Sequence, residues 1–435
     1  MSEDKIGKYL DAWKGRFYLF DPSHPFFQSC GFTAKKPTTI HKIFLEATAG
    51  NNATIFDHRT DEDPSPVSPA EAARALTTIQ SFGVGGGRSP TINFEDGTLI
   101  RKAVVLLKGE SLSESLLLNL LPYDPNMPYR NLESQEPAGA SEDIPAWESD
   151  VVTDGRKRTP NGYLDYLTWQ CRTIRLLPDP DNVKTVVRWI YYAQGFGMEG
   201  RYREPMAGYR VVKEKGELPI RLSEGQAVWR STPAFLRMTG GTTIPPKTIA
   251  GITDLISLGV VSRSRRYSLD VMGLCTDQAK ISQWQHSSIP LPMKYLEDRS
   301  LVESVSKSVE LSEKHYRALR DSLYQFGKAQ LSPKHSPDKK AVQNLIASMD
   351  VEREYWARLE HPFYEFILML SDKSESDQQI LLKRWVAETI QPSIRAVFDA
   401  IMKSMDSSAR TLRSVAISTR YLDEQLDRLK QQMEA

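Results

Sequence analysis

Residues 68–88 read SPAEAARALTTIQSFGVGGGR, a capped helix that runs directly into Gly83-Val84-Gly85-Gly86-Gly87-Arg88. Ser68 at the N-cap, Pro69 at the first helical position and Glu71 three residues beyond the cap form a capping box. Ala72, Leu76, Ile79 and Phe82 recur at helical spacing, and Gly83 suits a left-handed helix stop. Helix-then-glycines decides against a doubly wound nucleotide fold, whose order is strand, glycines, helix. In those folds an anion meets the N–H groups of a helix N-terminus. Here the glycines hang from a C-terminus, the wrong end of the dipole for a phosphate. Four glycines in the five positions 83–87 leave a backbone that a partner can approach closely. The same composition also suits a mobile surface loop.

Outward from this point the chain reads as α+β: a mixed N-terminal globular domain over 1–292, then a four-helix bundle over 293–435. In the first part, Leu99–Leu107 and Thr173–Leu177 are strand-like. Tyr267–Leu274 and Ile281–Ile289 suit a hairpin whose tip spans Cys275–Lys280. In the second part, Leu301, Val305, Val309, Tyr316, Leu319, Leu323 and Phe326 mark one apolar stripe. A second helix starts at Ser336-Pro337 and a short stretch from Pro362 to Leu370 follows it. A third helix runs from about Ser376 to Ser404 with a kink at Pro392, and Ser407–Gln432 makes a fourth.

Lys and Arg number 56 against 55 Asp and Glu, so total charge announces no partner. The distribution is uneven: Arg201 to Arg266 holds 12 basic and five acidic residues, which suits one anion-facing surface. Three scattered cysteines, Cys30, Cys171 and Cys275, argue against a disulfide framework and against structural zinc. No signal peptide opens the chain and no apolar run is long enough to span a membrane, which fits a soluble cytoplasmic protein. Seven histidines show no HxH or HExxH pairing, and no GxSxG or Walker lysine-serine pair occurs. Asp57-His58 alone could open a metal-dependent phosphohydrolase motif. The balance favours a protein that is not an enzyme, with no cofactor and no metal.

Several local patterns taken in order resemble the CasA family, the large subunit of type I-E CRISPR Cascade complexes. They are Phe17–Gln28 with His24-Pro25-Phe26, Ala49-Gly50-Asn51-Asn52 running into Phe56, and the glycines at 83–87. Gly162-Tyr163-Leu164 to Trp169-Gln170 and the tip Gly273–Ala279 follow. The resemblance implies a protein that reads the protospacer-adjacent motif of double-stranded target DNA, starts strand separation for R-loop formation and helps recruit a helicase-nuclease. It implies that Gly83, Val84, Gly85 and Gly86 approach the minor groove, where a bare backbone tests shape. It places a duplex-splitting glutamine at Gln278, flanked by Asp277, Ala279 and Lys280. No lysine matches the family's groove finger, and Arg201 or Arg203 substitutes for it. Phe56, with His58, falls in the loop that contacts the crRNA-containing Cascade subunits. The family opens with a further N-terminal segment that has no counterpart here, so a compact or shortened first domain is expected. Arg263, Arg265 and Arg266 would neutralise phosphates. Two other readings stay open: a phosphohydrolase using Asp57 and His58, and a helical-bundle scaffold without DNA contact.

Overall fold

The computed structural model describes residues 3–46, 62–87, 92–121, 130–134, 142–181, 184–236, 242–277, 280–331 and 338–434. They divide into two compact units, each assembled from separate stretches. The first holds Met1–Lys102, Pro122–Glu204 and Gly273–Trp284; the second holds Ala103–Leu121, Pro205–Met272 and Gln285–Ala435. The sequence-based boundary at 292 falls inside the last of these stretches.

Period-two alternation in Arg172–Asp181 sends Ile174 and Leu176 to one face of a three-stranded antiparallel sheet. Its central strand, Lys184–Gln194, pairs with it from Arg172↔Gln194 to Leu177↔Trp189 and then skips Arg188 to resume at Pro178↔Val187. The skip brings Val187 onto the same face as Ile190, and both are buried there with Ile174 and Leu176. Helix Pro69–Phe82 lays Ala72, Ala75, Leu76 and Ile79 against this face. Burying each large aliphatic side chain contributes about 1.5–3 kcal/mol. Ser68 and Glu71 form the expected capping box, with Glu71 N–H donating to Ser68 Oγ at 3.3 Å.

In the second unit, strand Val104–Lys108 runs antiparallel to Ser268–Met272. The hairpin strands are longer than the pattern suggested, Arg266–Asp277 and Lys280–Pro292, and the alternation of buried and partly exposed residues over 267–272 gives way to three buried residues in succession, Gly273, Leu274 and Cys275. Helices Arg299–Leu331, Val351–Leu370, Gln391–Lys403 and Ala409–Glu434 form the long columns of the C-terminal region, with Lys339–Ala347 and Glu375–Arg384 leading into two of them. Leu301, Val305, Val309, Leu319, Leu323 and Phe326 are buried as the stripe required. Pro362 does not end a helix. It sits inside Val351–Leu370, where Leu359, Phe363, Phe366, Ile367 and Leu370 are all buried and outweigh one lost backbone bond. Before Pro392, the helix widens into a π-turn over Trp385–Ile390.

The stripe also carries a polar seam. Ser304, Ser308, Ser312, His315 and Ser322 are buried on Arg299–Leu331, and Ser418 Oγ donates to the Ser322 carbonyl at 2.7 Å. His315 Nδ1 lies 2.8 Å from the Leu311 carbonyl, and burial, with Lys314 adding to it, pushes its pKa below the ordinary value of 6.5. The unfolded chain therefore binds this proton more readily than the folded one. The stability gained by keeping His315 neutral is present above about pH 6.5 and is lost as pH falls through that value. Thermal melts of wild type should lose more between pH 7.5 and 5.5 than melts of His315→Gln; equal losses would contradict the assignment.

Candidate nucleic-acid interface

Beyond the Pro69–Phe82 helix, the glycines form one arm of a narrow excursion whose return arm is Phe94–Gly97. Gly86 N–H donates to the Phe94 carbonyl at 2.9 Å, Phe94 N–H to the Gly87 carbonyl at 3.3 Å and Gly97 N–H to the Gly83 carbonyl at 2.7 Å. Gly85 N–H donates to Asp96 Oδ1 at 2.7 Å. The N–H groups of Gly85 and Gly86 are thus consumed within the excursion, which is neither an anion nest nor an untethered loop. Gly83 corrects the expected left-handed stop: its φ is −58°. A Cβ there would lie 2.7 Å from the Ile79 carbonyl oxygen and 3.0 Å from an Arg172 nitrogen, so close approach demands the glycine. The left-handed positions come later, at Gly86 (φ 106°) and Gly87 (φ 76°), both exposed.

Arg172 holds the two arms together. It is 1% exposed and its partners among the described residues are all neutral. Nη2 donates to the Val84 carbonyl (2.9 Å), Nη1 to the carbonyls of Glu95 (2.8 Å) and Cys171 (2.9 Å), and Nε to the Tyr192 hydroxyl (2.9 Å). The guanidinium carbon lies 4.9 Å from the centre of the Phe94 ring. Gln80, buried on the helix, reads the backbone of the same residue as a strand would: Arg172 N–H donates to its Oε1 at 2.8 Å and its Nε2 to the Arg172 carbonyl at 2.9 Å. Helix, sheet edge and glycine arms are therefore one frame. Lys157 lies beside it, its ammonium 2.8 Å from Glu95 Oε1.

The hairpin end Gly273–Trp284 belongs to the same unit. Trp284 packs edge-on against Phe82, the last residue of the helix, with ring centres 5.0 Å apart. Asp96 accepts Gly85 with one carboxylate oxygen and Arg101 Nε with the other, at 2.8 Å. Arg101 Nη1 then donates to Thr276 Oγ1 at 3.3 Å. The structure thus brings together the two elements singled out in the sequence. Asp277 and Lys280 end the hairpin strands and are exposed; Gln278 and Ala279, between them, lie outside the described residues, as do Phe56, Asp57 and His58.

Other expectations fare differently. Arg201 is exposed with Glu133 at 3.6 Å, and Arg203 is half-buried. In the second unit the three arginines before the hairpin each have a carboxylate: Arg263 with Glu297 (2.8 Å), Arg265 with Glu110 (2.9 Å) and Arg266 with Asp372 (3.5 Å). Such exposed pairs are worth little to stability. No group of three or more His, Cys, Asp or Glu suited to a metal occurs among the described residues, and no helix among them is long and apolar enough to cross a membrane. Burial raises the Cys171 thiol pKa, which keeps it protonated and unreactive. Sequence reasoning missed Arg172, Gln80, Asp96 and Arg101. A charge at the head of an apolar strand and a glutamine on an apolar helix face were available as signals for the first two.

The sequence model of the family described as CRISPR-associated protein Cse1 matches residues 1–396. A CRISPR-associated protein CasA/Cse1 of Thermus thermophilus is 28% identical over 432 residues, covering 95% of this chain and 80% of its own. The crystal structure of Thermus thermophilus CasA superposes with a TM-score of 0.77 at 25% identity, over 98% of this chain and 84% of that one. A chain in a structure of a CRISPR RNA-guided surveillance complex shares the fold, with a TM-score of 0.71 at 20% identity over 97% of this chain and 82% of that one.

Proposed function

The chain belongs to the CRISPR-associated Cse1 family, and from that premise we propose that it is the DNA-recognising large subunit of a crRNA-guided surveillance complex. In this reading it has no catalytic step of its own. The excursion at Gly83–Gly87 meets the minor groove at the protospacer-adjacent motif, where its exposed glycines present backbone and no side chain. Minor-groove edges carry little base information, so a close-fitting backbone discriminates by shape and by excluding misfits. The hairpin end, with Gln278 at its tip and Asp277 and Lys280 beside it, separates the strands next to the motif. Arg201 and Arg203 serve as groove contacts, and Phe56 and His58 lie against the crRNA-bearing subunits. Strand separation starts the R-loop, and the assembled complex then recruits a helicase-nuclease. The free thiols of Cys30, Cys171 and Cys275 suit the reducing cytoplasm in which such a complex acts.

One observation carries this reading: the glycine excursion and the hairpin end share a single frame. The glycine arms are clamped by Arg172 and tied through Asp96 and Arg101 to Thr276, two residues before Gln278. A wedge needs a mount registered to the point of recognition, and these hydrogen bonds, all within one unit, support such a register.

The test uses Gly87, whose φ of 76° suits asparagine and where a Cβ meets nothing within 4 Å. Asparagine tolerates this left-handed φ better than other side chains, at a cost of about 1 kcal/mol, and Gly87→Asn places a side chain where the groove would sit. In the complex assembled with its crRNA-bearing partners, affinity for motif-bearing duplex should fall about 10-fold relative to motif-free duplex, the scale of one mismatched pair in a site. An unchanged ratio would remove the groove contact from this loop.

A further inference from the structure

We infer that Arg101 is a positioning residue that registers the hairpin tip to the glycine loop, so that motif engagement and strand opening act together. The inference rests on the DNA-opening reading above. Arg101 has a left-handed φ of 59°, a conformation that a non-glycine residue keeps only when its surroundings hold it. Its side chain is partly buried and spans between two elements far apart in sequence. On one side Nε meets Asp96 Oδ2 at 2.8 Å, while the other oxygen of the same carboxylate fixes Gly85 N–H at 2.7 Å. On the other side Nη1 reaches Thr276 Oγ1 at 3.3 Å. The planar fork suits this task because its donors are fixed relative to one another. A displacement of Gly85 by DNA in the groove moves Asp96, and Asp96 carries Arg101 and the Thr276 end of the hairpin with it. Beside this polar link, Phe82 against Trp284 supplies an apolar hinge contact that holds the hairpin at the end of the helix.

The link can be cut without changing Gly83–Gly87 or Gln278. Asp96→Asn keeps an oxygen for Gly85 N–H but loses the ion pair to Arg101. Thr276→Val removes the acceptor at nearly constant volume, whereas Thr276→Ser restores it. The readouts are affinity for motif-bearing duplex and the rate of opening, followed by 2-aminopurine placed beside the motif, both in the assembled complex. Thr276→Val and Asp96→Asn should each slow opening by about 3- to 10-fold with affinity within about twofold, and the double variant should be no slower than the worse single. Thr276→Ser should open at the wild-type rate. Additive losses, or a Thr276→Ser defect equal to that of Thr276→Val, overturn the coupling. A Gln278→Ala defect beside a wild-type Thr276→Val rate overturns this inference alone. Wild-type opening by Gln278→Ala overturns the DNA-opening reading and the inference with it.

Discussion

Arg172→Met is expected to destabilise the protein by about 3 kcal/mol and to release the glycine arms from the sheet. Methionine fills much of the space but donates nothing. The Cys171 carbonyl keeps a partner in Gly195 N–H at 3.0 Å, whereas the carbonyls of Val84 and Glu95 lose the donors that join the arms. Each orphaned acceptor costs about 1–3 kcal/mol, and relief from burying a guanidinium offsets part of the sum. A loss of about 3 kcal/mol lowers the melting temperature of a unit of this size by about 6–12 °C. Limited proteolysis should then cut between Gly83 and Gly97 faster than in the wild type, and motif-dependent DNA binding by the assembled complex should disappear. Arg172→Lys should fall between the two, since one ammonium cannot serve acceptors on both arms as the fork does. Wild-type melting and cleavage in Arg172→Met would show that the arms are held by the backbone ladder alone.

The second large effect is expected at Gln278. Gln278→Ala should retain motif-dependent binding and slow strand opening by about 100-fold, because prising apart one base step costs a few kcal/mol and the proposed reading has the hairpin tip supply it. Alanine keeps the hairpin but shortens its reach by the length of the amide-bearing side chain. Asp277 and Lys280 should matter less, since exposed charges flanking the tip act on the phosphates through a screened field. Raising salt should therefore diminish the contribution of Lys280 and leave that of Gln278 largely intact. Equal salt sensitivity of the Gln278→Ala and Lys280→Ala defects would argue that the tip acts by charge and not as a wedge.

What the sequence disclosed follows from range. The capping box of Ser68 and Glu71 and the stripe from Leu301 to Phe326 are local, periodic features, and the folded chain shows both. The frame of the site is not local. Arg172 meets Val84 across 88 residues and Arg101 meets Thr276 across 175, so no window along the chain contains either partnership. Gly83 shows a different loss of information: a glycine after a helix is expected for its conformational freedom, yet here it serves close approach to Arg172. Pro362 should end a helix on backbone grounds, and burial of the apolar residues around it overrides that preference. The interleaved units have the same origin, since strand Val104–Lys108 finds its partner in Ser268–Met272. The order of short motifs carried the family, because it survives when individual partners cannot be read.

The central claim is that this chain reads a duplex motif and then opens the duplex beside it. The most direct measurement compares R-loop formation on an intact duplex with that on a duplex already mismatched over the first base pairs next to the motif, using assembled complexes that carry wild-type or Gln278→Ala protein. The account predicts a slow reaction by Gln278→Ala on the intact duplex and a rate restored to wild type on the pre-opened one, where no wedge is needed. The same defect on both duplexes, or none on the intact duplex, would contradict it.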